Sequence, residues 1–339
     1  MSPINSAEQA PAGSESQPAA VPLAEAGESP SQEYTASEST SPAIHAAGLS
    51  KRFGSTIAVD SLSMTVRRGE VFGFLGPNGA GKTTVVKLLL GLARPTGGEA
   101  LVLGAPLGDR EARRRIGYLP ELFRFQALLT AREVLRLHCR LLELPKATWE
   151  GQARGALETV GLLERADARV GTFSKGMQQR LGLGVALLGD PALVVLDEPT
   201  SALDPVGRHD VREIIAGLRE RGATVFLNTH LLGEAEHVCD RVAVVDKGKV
   251  IATGGLDELL GRQSSVRLKV SGLGEHASST VGRFGRWHRE EDWIVVEEID
   301  PARIADLVSA IVGRRGRVEA VIPEHKTLEA RFLELLGGQ

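Results

Sequence analysis

The octapeptide GPNGAGKT, at residues 76–83, constrains this chain more than any other feature of its sequence. It fits the pattern G-x-x-x-x-G-K-[ST] and follows the apolar run Val71–Leu75, which predicts a strand buried on both faces. Glycines allow backbone N–H groups to converge on phosphate oxygens, and the N-terminus of the next helix adds unpaired donors. The sequence therefore predicts a phosphate-binding loop between a strand and a helix, in preference to a chance glycine-rich turn.

Two side chains of this loop carry specific chemistry. Lys82 supplies a positive charge for the β- and γ-phosphates of a nucleotide, and the Thr83 hydroxyl is suited to ligate Mg²⁺. The spacing is not G-x-G-x-x-G, which disfavours a dinucleotide-binding fingerprint. The nucleotide-binding residues predicted here are Gly76, Pro77, Asn78, Gly79, Ala80, Gly81, Lys82, Thr83 and Thr84.

Two adjacent carboxylates end a second apolar run. Leu193–Leu196 predicts another buried strand, and Asp197 and Glu198 follow it directly. Two acids at the end of a buried strand are costly unless a cation lies there, and strand ends are where open α/β sheets bind ligands. Asp197 suits a Mg²⁺-binding role, and Glu198 suits a general base for water. A solvated strand end is the alternative, and it explains one acid better than two.

The remaining pattern predicts a P-loop α/β domain with two additions. Thr224–Leu227 is a third buried apolar run, and Asp204-Pro205 predicts the start of a helix. Between about residues 122 and 172 the periodicity is only helical, with a capping box at Thr130, which indicates an all-helical insert. Past that domain the pattern returns to strands and a final helix. The expected domains are an α/β domain, residues 44–261, and a small C-terminal α+β domain, residues 262–339.

The first 43 residues differ in composition from the rest of the chain. Residues 1–42 hold six glutamates and no lysine or arginine, and they are rich in serine, proline and alanine. Such a segment has too little apolar surface to offset its ordering entropy, so we predict a disordered tail over residues 1–43. The formal net charge of −3 leaves about +3 on the remainder, which is too little for a nucleic-acid-binding surface. No nucleic-acid partner is therefore expected.

The two cysteines and the distribution of apolar residues argue against several kinds of site and segment. Cys139 and Cys239 lie 100 positions apart without C-x-x-C spacing, which indicates buried thiols rather than a disulfide or a metal site. The sequence contains no run of about 18 apolar residues. Its N-terminus also lacks a basic region followed by an apolar core. We therefore expect neither a membrane span nor a signal peptide.

A third motif connects these features to a known family. The segment Phe173–Gln178, FSKGMQ, resembles the signature usually written LSGGQ, and its Ser174 stands 23 positions before Asp197. With the phosphate-binding loop and the carboxylate pair, the chain resembles the nucleotide-binding subunit of an ABC transporter. In that family the signature closes over the ATP held by the opposite subunit, so the resemblance implies a nucleotide-sandwiched dimer. The nucleotide-binding residues that it adds are Ser174, Gly176 and Gln178.

Other positions match the family residue by residue. The segment Ser201–Asp204 resembles the D-loop, which implies a nucleotide-binding role for Asp204. His230 resembles the switch histidine that contacts the γ-phosphate, and it joins Glu198 as a predicted catalytic residue. Phe53 falls where an aromatic residue stacks on adenine, and ordinary core packing is the alternative.

Glu121 departs from the family pattern, which usually has a glutamine at this position. Mg²⁺ prefers oxygen ligands, and a carboxylate provides them as well as a glutamine carbonyl does. We predict that Glu121 ligates or closely approaches Mg²⁺, and that residues 122–129 form the coupling surface for a membrane subunit. The alternative is a solvent-facing residue that merely begins the helical insert.

The C-terminal segment Thr327–Leu335, Met177 and the string GYLPE at residues 117–121 resemble the ATPases of ABC-2 type exporters. The resemblance implies an ATP-hydrolysing subunit, with ATP and Mg²⁺ as cofactors, that powers export. Its implied partners are a polytopic membrane permease and a second copy of itself or a homologous ATPase. The implied location is the cytoplasm, on the inner face of the cell membrane. An importer ATPase and a soluble ABC ATPase not engaged in transport are the alternatives.

Overall fold

The computed structural model describes residues 41–201, 203–260, 264–272, 277–325 and 327–337. The predicted tail, residues 1–43, therefore lies almost entirely outside the described residues. Its last residue, Ala43, is fully buried, and its N–H donates to the carbonyl of Val66 at 2.8 Å. The packed part of the chain thus already includes the end of the segment predicted as a tail.

Strands and helices alternate through most of the described chain. The strands are β1 (Ile44–Phe53), β2 (Thr56–Val66), β3 (Val71–Leu75), β4 (Gly97–Val102), β5 (Ala105–Pro106), β6 (Ile116–Leu119), β7 (Leu193–Asp197), β8 (Thr224–Thr229), β9 (Arg241–Asp246), β10 (Lys249–Gly255), β11 (Ser264–Ser271), β12 (Arg286–Glu290), β13 (Trp293–Ile299) and β14 (Arg317–His325). The α-helices are α1 (Lys82–Leu89), α2 (Arg110–Arg114), α3 (Ala131–Leu141), α4 (Trp149–Thr159), α5 (Lys175–Ala186), α6 (Pro205–Glu220), α7 (Leu232–Val238), α8 (Leu256–Leu260), α9 (Ala277–Val281), α10 (Ile304–Gly313) and α11 (Leu328–Gly337). Within the described ranges, none of these helices has the length and apolar character that crossing a bilayer requires.

A mostly parallel sheet in the order β10-β9-β3-β8-β7-β6 forms the centre of the fold. Strands β9, β3, β8, β7 and β6 run parallel, and β10 pairs with β9 in the antiparallel sense. The three predicted buried strands are confirmed as β3, β7 and β8, and every residue in them is buried. Because parallel strands share one carboxyl edge, the phosphate-binding loop after β3 and the acids at the end of β7 lie at the same edge.

A second sheet, in the order β2-β1-β4-β5, is antiparallel throughout. Its apolar residues Ile44 and Leu49 share one buried cluster with Phe74 of β3 and Val86 of α1. The sequence analysis did not predict this sheet. The reason is that β1 changes register with β2 several times, so its side chains do not keep the regular alternation that marks a half-buried strand.

The structure confirms that the predicted insert is helical. Its segment contains α3, α4 and short 3₁₀ turns, with one isolated β-bridge between Thr130 and Arg169. The capping box is present: the Thr130 Oγ1 accepts the N–H of Glu133 at 3.2 Å, and the Glu133 Oε2 accepts the N–H of Thr130 at 2.8 Å. Two leucines of α3, Leu137 and Leu141, are 44% and 67% exposed.

The C-terminal part is a four-stranded antiparallel sheet in the order β12-β13-β11-β14. Residues of α10, Leu307 and Ile311, join Val266, Leu268 and Val296 in its own buried cluster. This confirms the predicted α+β character, although β12, α9 and α10 were not predicted. The boundary between residues 261 and 262 stays a prediction, because residues 40–339 group as one unit by their contacts.

A glycine in β6 tests the packing between the central sheet and α5. A Cβ added at Gly117 would lie 1.8 Å from the carbonyl oxygen of Ala186, a backbone atom that has little room to move. Gly117→Ala should therefore destabilise the fold by about 1–3 kcal/mol, as overpacking usually does. Gly217→Ala is the matched control: no described atom lies within 4 Å of its added Cβ, and it should stabilise α6 by about 0.5–1 kcal/mol. Urea unfolding measures both, and equal stabilities would contradict this packing.

Candidate nucleotide-binding and catalytic site

Close backbone packing holds the phosphate-binding loop between β3 and α1. Gly79 and Gly81 have φ angles of 85° and 97°, which favour glycine. A Cβ at Gly81 would lie 2.1 Å from the carbonyl oxygen of Ala58. The N–H of Gly248, in the turn after β9, donates to the carbonyl of Ala80 at 2.9 Å. The loop is thus braced from the second sheet and from the β9–β10 turn, which fixes where its N–H groups converge.

Lys82 begins α1 and points back over the loop. Its side chain is only 6% exposed, and its Nζ donates to the carbonyls of Gly76 at 2.8 Å and Pro77 at 3.3 Å. The same Nζ lies 3.6 Å from Oε1 of Glu198. Thr83 and Thr84 follow in the first turn of the helix and are partly buried. A buried ammonium beside the loop is the cation that the sequence analysis required at this strand end.

Asp197 is the last residue of β7 and is 1% exposed. Burial raises its pKa above the usual value, and the nearby carboxylates of Glu121 and Glu198 add to this rise. The amide of Asn228, on the neighbouring β8, donates to the Asp197 Oδ1 and opposes the rise, as does the charge of Lys82. The charges of Glu121 and Glu198 thus repel that of Asp197, and the charge of Lys82 opposes this repulsion.

Glu198 links the phosphate-binding loop to the end of β8. Its Oε2 accepts from Thr229 Oγ1 at 3.3 Å and lies 2.8 Å from Nδ1 of His230, while its Oε1 faces Lys82. The residue is 7% exposed and has a φ of 51°, which a side chain with a Cβ seldom adopts. Strained backbone of this kind persists where the surroundings enforce it, often at functional sites. The arrangement holds one carboxylate among three cationic or polar neighbours.

Glu121 follows the end of β6, the strand beside β7. Because Leu119 pairs with Leu196 in the parallel ladder, Glu121 and Asp197 leave the sheet at the same edge. Burial raises the pKa of Tyr118 to about 12, and the charges of Asp197 and Glu121 contribute to that rise. Glu121 is exposed, yet its charge acts on Asp197.

Phe53 lies at the end of β1 and is 54% exposed. The Lys51 Nζ lies 4.8 Å from the centre of its ring. An exposed ring leaves a free π-face, so the alternative of ordinary core packing for Phe53 is wrong.

The signature segment lies at the start of α5. Ser174 is the N-cap, and its Oγ accepts the N–H of Met177 at 3.2 Å. The Gln178 side chain donates to the carbonyl of Phe173 at 3.3 Å. A Cβ at Gly176 would meet, among described atoms, only Ser174 and Leu203 at 3.9–4.0 Å. Packing within this chain therefore does not require a glycine at position 176.

Asp204 is the N-cap of α6, as predicted, and its Oδ1 accepts the N–H of Gly207 at 2.8 Å. Its neighbour Ala202, in the segment that resembles the D-loop, lies outside the described residues. Sequence reasoning missed Asn228, which is fully buried and orients Asp197. The available signal was its amide at an otherwise apolar position of the strand beside the acids.

Comparison with known proteins identifies the family of this chain. A family model described as "ABC transporter" matches residues 59–201. An uncharacterized ABC transporter ATP-binding protein of Nostoc sp. is 44% identical over 84% of both chains. A Nod factor export ATP-binding protein I of Mesorhizobium japonicum is 43% identical over 65% of this chain and 67% of its own.

Solved structures agree with these relatives. The structure of an ATP-binding subunit of an ABC transporter is 33% identical and has a TM-score of 0.58, over 64% of this chain and 91% of its own. A dimeric ATP-binding cassette bound to ADP and Pi is 26% identical with a TM-score of 0.57, over 63% of this chain and 98% of its own. The chain belongs to the family of ABC transporter ATP-binding proteins. It is an ATP-binding subunit of this family and an ATPase.

Replacing the carboxylate of Glu198 tests whether this group is the general base. Glu198→Gln removes the basic oxygen but keeps the size of the side chain, so ATP should still bind. Hydrolysis should slow by about 10²–10⁴-fold, the usual contribution of a positioned general base. Phosphate release and fluorescent-nucleotide titration measure the two effects, and Glu220→Gln, an exposed change on α6, serves as the control. Turnover at the parent rate would assign the base to another group, with His230 the first candidate.

Proposed function

We propose that this chain powers export through a separate membrane permease, by closing a dimer over ATP and reopening it after hydrolysis. The observation that supports this most is that buried Lys82, Asp197 and Glu198 lie with the exposed imidazole of His230 at the carboxyl edge of the parallel sheet. ATP can shift an opening and closing equilibrium only through its different affinity for the two states. The signature segment, placed on α5, supplies such a difference if it contacts nucleotide only in the closed dimer.

In this proposal each buried group has a role in hydrolysis. Glu198 accepts a proton from the attacking water, whose oxygen bonds to the γ-phosphorus as the bond to the β-phosphate oxygen breaks. Lys82 offsets the negative charge of the phosphates, and its burial makes that interaction stronger than it would be in water. His230, held by Glu198 at 2.8 Å, lies where it can contact the γ-phosphate. The products are ADP and phosphate.

The donor set fits Mg²⁺. Thr83, Asp197 and Glu121 offer hydroxyl and carboxylate oxygens, which a hard cation prefers over nitrogen or sulfur. Repulsion among the carboxylates, which contributes to the raised pKa of Asp197, would be relieved by a cation between them. Bound Mg²⁺ would neutralise charge on the phosphates. We propose that these three residues hold it.

Gly176 supports a nucleotide-sandwiched dimer. A glycine in the first turn of α5 costs helix stability, and no packing contact among the described residues explains it. Its missing side chain leaves the helix N-terminus open to the close approach of a phosphate, which such termini attract. A nucleotide held by a second copy, or by a homologous ATPase, fits that surface. One structural neighbour is a dimeric cassette bound to ADP and Pi.

Exposed leucines support a coupling surface for the permease. Leu122 and Leu128, on the segment directly after Glu121, are 87% and 75% exposed. Exposed apolar side chains gathered on one segment are typical of a binding site. A permease bound there would lie close to the catalytic carboxylates and would place this chain on the inner face of the membrane. The export direction is favoured over import by the relatives named as Nod factor export proteins.

The dimer is tested by a substitution at Gly176. In the Glu198→Gln background ATP should produce a stable dimer, and adding Gly176→Ala should leave a monomer that still binds ATP, because the new methyl group blocks phosphate approach. Gly217→Ala in the same background is the matched control and should leave the dimer intact. Light scattering after size-exclusion chromatography gives the mass. An ATP-dependent dimer that tolerates Gly176→Ala would count against the sandwich.

The coupling surface is tested on solubilised membranes. The double variant Leu122→Ser, Leu128→Ser should reduce recovery of a polytopic partner several-fold. The ATPase rate of the isolated chain should stay unchanged, because both side chains are exposed and neither belongs to the buried apolar core. Leu92→Ser removes a leucine that is 63% exposed and lies outside this segment, and it should change nothing. Full recovery with the double variant would exclude this surface.

A further inference from the structure

The last helix of the chain packs against the ATPase core. Leu328 of α11 is 2% exposed and belongs to the same buried cluster as Leu232, Ala235 and Val238 of α7. Phe332, one turn further along α11, also packs against this cluster. Residues of the C-terminal sheet, such as Val266, belong to a separate cluster. The helix that follows the C-terminal sheet is therefore built into the core beside the catalytic edge.

A carboxylate of α7 holds the start of this helix. The Glu236 Oε2 accepts the N–H of Leu328 at 3.2 Å, and the Thr327 Oγ1 accepts the N–H of Ala330 at the same distance. A carboxylate at a helix N-terminus satisfies an unpaired donor and interacts favourably with the helix dipole. The contact between α7 and α11 is thus polar at one point and apolar beside it.

The helix α7 begins two residues after His230. It is only seven residues long, and its N-cap, Leu231, makes no side-chain cap hydrogen bond. A helix this short is not stable by itself, so its position depends on what it packs against. One side of α7 is held by Arg212, whose Nε lies 3.6 Å from the Glu234 Oε2. A second polar contact of α7 is with α11, through the Glu236 Oε2 and the N–H of Leu328.

We propose that α11 positions His230 for hydrolysis by fixing α7, with Leu328 and Glu236 as the positioning residues. This inference rests on the proposed contact of His230 with the γ-phosphate. Leu328 packs against α7, α7 begins two residues after His230 along the chain, and the His230 Nδ1 lies 2.8 Å from the Glu198 Oε2. Any displacement of the C-terminal sheet transmitted to α11 would change turnover without touching the nucleotide.

The experiment compares two leucines of one helix. Leu328→Ala removes a side chain that packs on α7, whereas Leu333→Ala removes one that is 68% exposed. We expect Leu328→Ala to lower kcat by about two- to thirty-fold, the range of coupling effects seen for residues remote from a ligand, while the Kd for ATP stays unchanged. Leu333→Ala should leave both constants as they are.

Two substitutions of Glu236 separate a positioning role from a role in folding. Glu236→Ala leaves the N–H of Leu328 without its acceptor and should lower kcat in the same way. Glu236→Gln keeps a carbonyl acceptor and should restore most of the turnover. If Leu328→Ala does not fold, as judged by circular dichroism, these two variants decide the question alone.

A spectroscopic readout follows His230 directly. The imidazole signals of the full-length chain, with that of His230 identified by its loss in His230→Ala, should shift in Leu328→Ala and Glu236→Ala but not in Leu333→Ala. Unchanged His230 signals together with an unchanged kcat in Leu328→Ala and Glu236→Ala would overturn the inference. If His230→Ala itself retains the parent kcat, the proposed role of His230 in hydrolysis fails. That result is distinct from a failure of α11 to influence the position of His230.

Discussion

The pairing of Lys82 with Glu198 at the carboxyl edge of the parallel sheet is the interaction on which this structure depends. Both side chains are almost fully buried, and an unpaired charge at such depth would be strongly unfavourable. The strands β3 and β7 supply the two backbones that bring them together, one ending in the phosphate-binding loop and the other in the acids. The strained backbone at Glu198 shows that the surrounding packing enforces this arrangement.

The neighbours of this pair explain how one edge of a sheet combines binding and chemistry. Asn228 and Thr229 end β8 with polar groups that orient Asp197 and Glu198, and His230 follows them directly. Three adjacent strand ends thus contribute one cation, two acids and one imidazole within a few ångströms. The helix α7 continues from this edge, and its apolar residues share one buried cluster with Leu196 of β7 and Leu328 of α11.

Sequence reasoning reached the features that depend on local patterns. The phosphate-binding loop, the three buried strands, the capping box at Thr130 and the helix start at Asp204 are all set within a few residues, and the structure has each of them. It missed what depends on residues far apart in the chain. The antiparallel sheet pairs strands through irregular registers, Asn228 gains its meaning only beside Asp197, and α11 docks on a helix about ninety residues earlier. The approach of Glu121 to Mg²⁺ stays a prediction from the resemblance, and the parallel pairing of β6 with β7 puts Glu121 at the same sheet edge as Asp197.

The most direct measurement is a structure of the Glu198→Gln variant with ATP and Mg²⁺. Lys82 should contact the β- and γ-phosphates, and residue 198 and His230 should flank the γ-phosphate. Glu121 should lie within direct or water-mediated reach of the metal, and the signature segment of a second copy should face the nucleotide. A nucleotide bound away from Lys82, or a γ-phosphate remote from both residue 198 and His230 in a closed dimer, would contradict these assignments.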